Sequence, residues 1–193
     1  MDIDGFLRDP LSRRRFFHMS GVSVAGGSAV FLSACGDDTK TPVVGPDESD
    51  EADVEILNSA LDLELMVVAA YKAGAAQLKG DVLAIGKLFL EQEQEHADGL
   101  MSAIKDAGGT PNKAKKSYDF PELRSQTDVL RFAVDLENTA IAAYNDALPK
   151  LGEGDLRATA AAIISNEAEH VAVLLGALGE EQVADAFVVG KAA

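Results

Sequence analysis

The stretch Gln92-Glu93-Gln94-Glu95-His96 recurs as Asn166-Glu167-Ala168-Glu169-His170, with Glu-x-Glu-His kept at an offset of 74 residues. Apart from His18, these two stretches hold all the histidine in the sequence. Glu93 and His96, like Glu167 and His170, stand three residues apart, so on a helix each carboxylate and imidazole leave one face a turn apart. Such a pair chelates a metal ion.

The repeat extends upstream. Asp62-Leu63-Glu64 is followed by Ala70-Tyr71 and Asp135-Leu136-Glu137 by Ala143-Tyr144, with a tyrosine seven residues after the glutamate both times. Most of the chain is two copies of one unit, a glutamate and then Glu-x-x-His. A period of roughly 73 residues is too long for a solenoid repeat and reads as two helical hairpins facing each other.

The apolar spacing supplies the helices. Leu57, Leu61, Glu64, Val68, Tyr71, Ala75 and Leu78 advance in steps of four and three, the heptad of a bundle helix, with Glu64 inside the apolar stripe. After Lys79-Gly80, a second helix from about Asp81 to Ala107 carries Ile85, Phe89, Glu93, His96, Leu100 and Ile104 on one face, and Gly108-Gly109 then Pro111 ends it. Thr110 to Leu123, with Pro111, Pro121 and the lysines 113, 115 and 116, has no periodicity and reads as a solvated loop crossing from one end of the bundle to the other. Ser125-Gln126-Thr127-Asp128 opens a third helix as a capping box, with Leu130, Val134, Glu137, Ile141, Tyr144 and Leu148 as its stripe. A turn from Pro149 to Gly154 leads to the fourth, lined by Leu156, Ala160, Ile163, Glu167, His170 and Leu174 and closed by Gly179. Val183, Phe187 and Val188 predict a short fifth helix capping the bundle. The fold class is all-α, an antiparallel four-helix bundle with one long crossover.

Glu64, Glu93, Glu137 and Glu167 thus occupy positions where the pattern asks for Leu or Val. Ionised carboxylates buried without partners cost many kcal/mol, and no lysine or arginine shares these stripes. A divalent metal is the natural counter-charge. Register agrees: each glutamate stands 13 to 15 residues from its own hairpin turn, roughly 20 Å along the axis, so all four share one level. Four carboxylates and two imidazoles suit two divalent ions of the iron or manganese kind, being too rich in oxygen for structural zinc and in imidazole for calcium or magnesium. The donor types do not separate iron from manganese.

On these residues the chain from about Leu57 to Leu178 resembles the ferritin-like superfamily, and in particular its exported bacterial ferritin-like domain proteins. The resemblance implies that Glu93 and Glu167 bridge two metal ions, iron ahead of manganese, while Glu64 with His96 and Glu137 with His170 are terminal ligands. It implies iron, oxygen or peroxide handling of a ferroxidase or peroxidase type; a manganese-catalase-like peroxide dismutase and a non-catalytic, metal-stabilised envelope stress protein are the rivals. It allows a homodimer. Tyr71 and Tyr144 could donate to a bridging carboxylate, although plain core tyrosine is the reading their heptad positions favour. Glu95 and Glu169 point about 100° from the neighbouring histidine, towards solvent.

The N-terminal part carries other signals. Ser12-Arg13-Arg14-Arg15-Phe16-Phe17 resembles a twin-arginine translocation pattern, and Leu32-Ser33-Ala34-Cys35 a bacterial lipobox whose cysteine is lipidated. Residues 1–34 read as signal peptide, 35–52 as a lipidated cysteine with an acidic linker, and 53–193 as the bundle; His18 belongs to the signal. These motifs imply the Tat translocase as partner and a lipid anchor in the cell envelope, periplasmic or on the outer face. A formal net charge of -15 opposes binding to nucleic acid. The single cysteine excludes a rubredoxin-type iron site and the electron relay that full rubrerythrins draw from it.

Overall fold

The computed structural model describes residues 48–183 and 185–190. Arg13, Arg14, His18 and Cys35, with the whole of the expected signal peptide, lie outside the described residues. Four helices make up the domain: α1 (Glu48–Gly74), α2 (Gly80–Asp106), α3 (Gln126–Ala147) and α4 (Gly154–Leu178). Each hairpin turn includes one turn of 3-10 helix, Ala75–Gln77 in the first and Leu148–Lys150 in the second.

The stripes read from the heptads are the buried faces. Leu57, Leu61, Val68 and Tyr71 of α1, Phe89, Leu100 and Ile104 of α2, Leu130, Ile141 and Tyr144 of α3, and Ala160, Ile163 and Leu174 of α4 are all buried. They fall into apolar clusters on either side of one polar layer. Val67, Tyr71, Phe89, Leu130 and Leu174 pack on one side. Leu57, Leu61, Leu100 and Ile104, and next to them Ala140, Leu151, Ala160 and Ile163, pack on the other. Water is therefore excluded along the axis from both directions.

Two hydrogen bonds set the direction of the helices. Tyr71 of α1 bonds Glu137 of α3, and Tyr144 of α3 bonds Glu64 of α1, so these two helices run antiparallel. Since α1 and α2 form a hairpin, α3 runs parallel to α2, and residues 107–125 must span the length of the bundle. Asn58 holds the start of that crossover by donating to Thr110 O and accepting from Asn112 N, at 3.2 and 2.8 Å. Phe120 anchors its far end on Phe132, with ring centroids 5.6 Å apart. The lysines 113, 115 and 116 are exposed.

The helix ends follow from local chemistry. Ser125 caps α3 by accepting from Asp128 N at 3.1 Å, and Asp128 reaches back to Arg124 N at 3.2 Å. Gly108 (φ 77°) and Gly179 (φ 74°) end α2 and α4 in the left-handed region, where a side chain is disfavoured. Two boundaries differ from expectation. α1 starts at Glu48, inside the stretch expected to be linker, because Glu48-Ser49-Asp50-Glu51 offers no apolar residue to mark it, while Glu51 suits the positive end of the helix. The fifth helix is absent among the described residues: after Gly179 the chain only bends, and Val183 and Phe187 are 79% and 84% exposed, so no burial offsets the cost of nucleating a short helix.

Candidate metal centre

The polar layer gathers Glu64 from α1, Glu93 and His96 from α2, Glu137 from α3, and Glu167 and His170 from α4. All four glutamates and His170 are at most 1% exposed. His96 Nδ1 lies 3.9 Å from Glu64, 3.5 Å from Glu93 Oε2 and 3.0 Å from Glu167 Oε1. His170 Nδ1 lies 2.9 Å from Glu93 Oε1, 3.5 Å from Glu137 and 3.2 Å from Glu167 Oε2. Glu93 and Glu167 therefore give one oxygen to each histidine, and Glu64 and Glu137 close the two ends. The result is two adjoining four-residue groups, in each of which the ligand atoms lie within 4.8 Å of one another. An ion with bonds of about 2.1 Å keeps opposed ligand atoms about 4.2 Å apart, so each group is close to the size of one coordination sphere.

The donors have separations of ion pairs but not hydrogen-bonding directions. Seven buried side-chain atoms lack a hydrogen-bond partner among the described residues: Glu64 Oε2, Glu93 Oε1, His96 Nδ1, Glu137 Oε2, both Glu167 oxygens and His170 Nδ1. Every one belongs to the six residues of the layer. Buried polar groups are normally satisfied, and atoms aimed past one another at a common point are what a cation would satisfy.

Protonation shows how the cluster stands without a cation. Burial, then the charges of Glu167 and Glu93, pushes the Glu64 carboxyl well above the usual range, and burial does the same to Glu137. Burial acts in the same sense on Glu93 and Glu167 but is outweighed by His170 and His96, which hold Glu93 below its ordinary value and Glu167 at about 2. Burial opposes charge on both imidazoles as well; contacts with Glu167 and Glu93 nevertheless raise His96 to about 10, and contacts with Glu137, Glu167 and Glu93 raise His170 to about 11. Without a cation, the shifts favour charged Glu93 and Glu167 facing two imidazolium groups, while burial disfavours charge on Glu64 and Glu137. The histidines are the counter-charge to Glu93 and Glu167 that no lysine or arginine supplies.

Neighbouring side chains orient the donors. Tyr71 and Tyr144 donate to Glu137 and Glu64, each tyrosine to the glutamate of the other hairpin, and burial followed by that glutamate's charge raises both phenols well above their ordinary range. They are more than core tyrosine, and their partners are the end glutamates rather than the shared pair. Gln92 Oε1 stands 2.9 Å from His170 Nε2. An amide oxygen only accepts, so Nε2 carries the proton and a neutral His170 has its lone pair on Nδ1, facing the carboxylates. Phe89 covers the same ring at 3.9 Å between centroids. The repeat places Asn166 opposite Gln92, but its amide turns to Glu169 at 3.5 Å, and the His96 side chain is 12% exposed against 1% for His170. Glu95 and Glu169 are exposed. The sequence reading passed over Gln92; the one signal for it was an amide before the glutamate in both repeats.

The ferritin-like domain family matches residues 52–180. The chain belongs to that family. No curated protein sequence matches this ferritin-like chain. Among solved structures it is similar to a conserved hypothetical protein from Mycobacterium tuberculosis, at 23% identity and a TM-score of 0.63 over 66% of this chain and 97% of that one. It is similar to a ferritin-like, diiron-carboxylate protein from Bacillus anthracis, at 23% identity and a TM-score of 0.61 over 68% and 99% of the two chains. The bacterioferritin of Desulfovibrio desulfuricans, described with its diiron site in different catalytic states, aligns at 22% identity and a TM-score of 0.62 over 69% and 81%. Identities this low carry the fold, and the chemistry rests on the residues above.

Proposed function

We propose that this ferritin-like protein holds two divalent metal ions, iron in the first place, and handles iron together with oxygen or peroxide. The observation behind this reading is the pair of four-residue groups that share Glu93 and Glu167, each turning a different oxygen to each histidine. The diiron sites named for two structures of the same fold favour iron. Glu64 with His96 would hold one ion and Glu137 with His170 the other, with Glu93 and Glu167 shared between them. When bound, the ions supply one electron each, as Fe(II) becomes Fe(III), to reduce oxygen or peroxide.

The remaining roles belong to the chain. Tyr144 and Tyr71 keep Glu64 and Glu137 turned inward, Gln92 keeps the His170 lone pair on Nδ1, and the apolar clusters keep bulk water out. Small ligands enter from the His96 side, the more exposed edge of the layer. Anaerobic loading with Fe(II) and elemental analysis test the reading: the purified chain binds close to two ions, Glu93→Leu and Glu167→Leu lose both, and His96→Ala and His170→Ala bind fewer than wild type. A wild-type chain that retains no iron or manganese overturns it.

The protein is exported by the Tat route and tethered to the cell envelope through a lipid on Cys35. The support is the resemblance of Arg13-Arg14 with its flanks to a twin-arginine pattern and of Leu32 to Cys35 to a lipobox. Tat systems carry folded proteins, so the metal layer can be filled before transport. Replacing Arg13 and Arg14 together by Lys leaves unprocessed precursor in the cytosol, and Cys35→Ala moves the protein from the membrane fraction to the soluble one. Normal processing of the double lysine variant speaks against this route.

A further inference from the structure

The two halves of the bundle repeat, and where they stop repeating there is a hole. Between α1 and α3, a cavity of about 280 Å³ is walled by Ile56, Ala60 and Leu63 on one side and Ala143, Tyr144 and Ala147 on the other. Stepping along by 73 residues, the offset between Glu64 and Glu137, carries these positions to the corresponding place beside Tyr71. That place is full. Ser59, exposed at the mouth of the cavity, is replaced there by Phe132, which Phe120 of the crossover covers at 5.6 Å between centroids and which packs against the cluster containing Tyr71 and Leu136. Ile56 is replaced by Val129, whose Cγ1 stands 2.7 Å from where a Cβ on Gly74, the counterpart of Ala147, would lie. One half fills the space beside its tyrosine with an aromatic ring; the other leaves it open.

We propose that the cavity beside Tyr144 binds a small neutral aromatic molecule of the phenol class. The size fits: an apolar cavity of about 150 Å³ holds one benzene, and the larger space here takes a substituted ring. The shape fits too, because a phenyl ring is what the related position accommodates. The mouth selects for charge. Its exposed polar side chains are Ser59, whose hydroxyl donates to Glu55 O at 2.9 Å and can still accept, and the pair Lys150 with Asp146, joined at 2.6 Å and so already neutralised. A hydroxyl on the ring finds polar partners there, whereas a carboxylate or an ammonium group finds no uncompensated opposite charge. The bound ring lies against Tyr144, whose hydroxyl holds Glu64, so the occupant is one hydrogen bond from the metal layer.

The test is a titration with phenol, followed through the methyl resonances of the purified chain. Phenol shifts Ile56, Ala60 and Ala143 saturably, with a dissociation constant on the order of 1 mM, as suits seven non-hydrogen atoms. Ser59→Phe, which copies the filled half at an exposed position outside the metal layer, keeps the helical circular dichroism and the metal content but binds phenol at least about ten-fold more weakly. Benzoate binds more weakly than phenol. Unsaturable shifts, shifts centred on other residues, or undiminished binding by Ser59→Phe overturn the site, and equal affinity for benzoate overturns the neutral class.

Discussion

Replacing Glu64, Glu93, Glu137 and Glu167 by Leu, His96 and His170 by Met, and Tyr71 and Tyr144 by Phe gives a protein that unfolds about 10 °C above the wild-type apoprotein and binds no metal. In the wild-type layer the imidazoles balance Glu93 and Glu167, so repulsion among four carboxylates is not its main burden. The burden is desolvation of four ionised groups together with seven buried atoms that lack hydrogen-bond partners. Exchanging buried ionic groups for apolar ones of similar volume is commonly neutral or stabilising by about 1–4 kcal/mol, and the unsatisfied atoms place this case near the upper end. The tyrosines must change with their partners, because each phenol would otherwise be left donating to a methyl group. Thermal unfolding by circular dichroism, with and without Fe(II), measures both parts. A melting point below that of the wild-type apoprotein, with wild type indifferent to metal, shows the six residues to be structural.

Filling the layer with two divalent ions releases protons, two of them from His96 and His170. Without metal, His96 at about 10 and His170 at about 11 hold protons at neutral pH, Glu64 and Glu137 are raised in the same sense by burial, and Glu93 and Glu167 are lowered. Metal ligands must be deprotonated, so the incoming positive charge displaces these protons. The sign follows: each lowering of pH favours the protonated, metal-free form. With both ions taken together, the overall binding constant falls by at least about two powers of ten per pH unit below neutrality, from the two histidines. Potentiometric titration during anaerobic loading counts the protons. Release of none, or affinity that is flat between pH 6 and 8, contradicts the protonation described here.

The core of the site was legible because it breaks a strong pattern. A glutamate in a heptad stripe stands out against Leu and Val, and the second copy of the unit showed that neither Glu64 nor Glu137 was an accident. Helix ends marked by Gly108, Ser125 and Gly179 were legible for the same reason, since few residues suit those conformations. Contacts made by one side chain across the fold were not. Asp53, 2% exposed, accepts from Gly152 N and Glu153 N at 2.8 and 3.3 Å, tying the start of the domain to the second hairpin turn, and nothing near it in sequence announces that. Gln92 leaves only the trace of an amide before the glutamate in both copies, because its role depends on a ring 78 residues away. The tail after Gly179 misled in the opposite direction: helical spacing of Val183 and Phe187 means little where no surface waits to bury them.

The exchange of tyrosines between hairpins makes each half of the chain unable to stand by itself. A hairpin cut free would expose an unpaired glutamate, a phenol and a Glu-x-x-His pair on the very face that carries most of its apolar surface. Cleaving the backbone in the crossover, far from the layer, leaves each fragment a complete hairpin whose buried face fits that of the other fragment. The two pieces reassociate on mixing, since the contacts that unite them are the buried ones and the covalent link runs over the surface. In that sense the protein is a heterodimer that happens to be written as one chain, and its crossover serves to keep stoichiometry rather than shape.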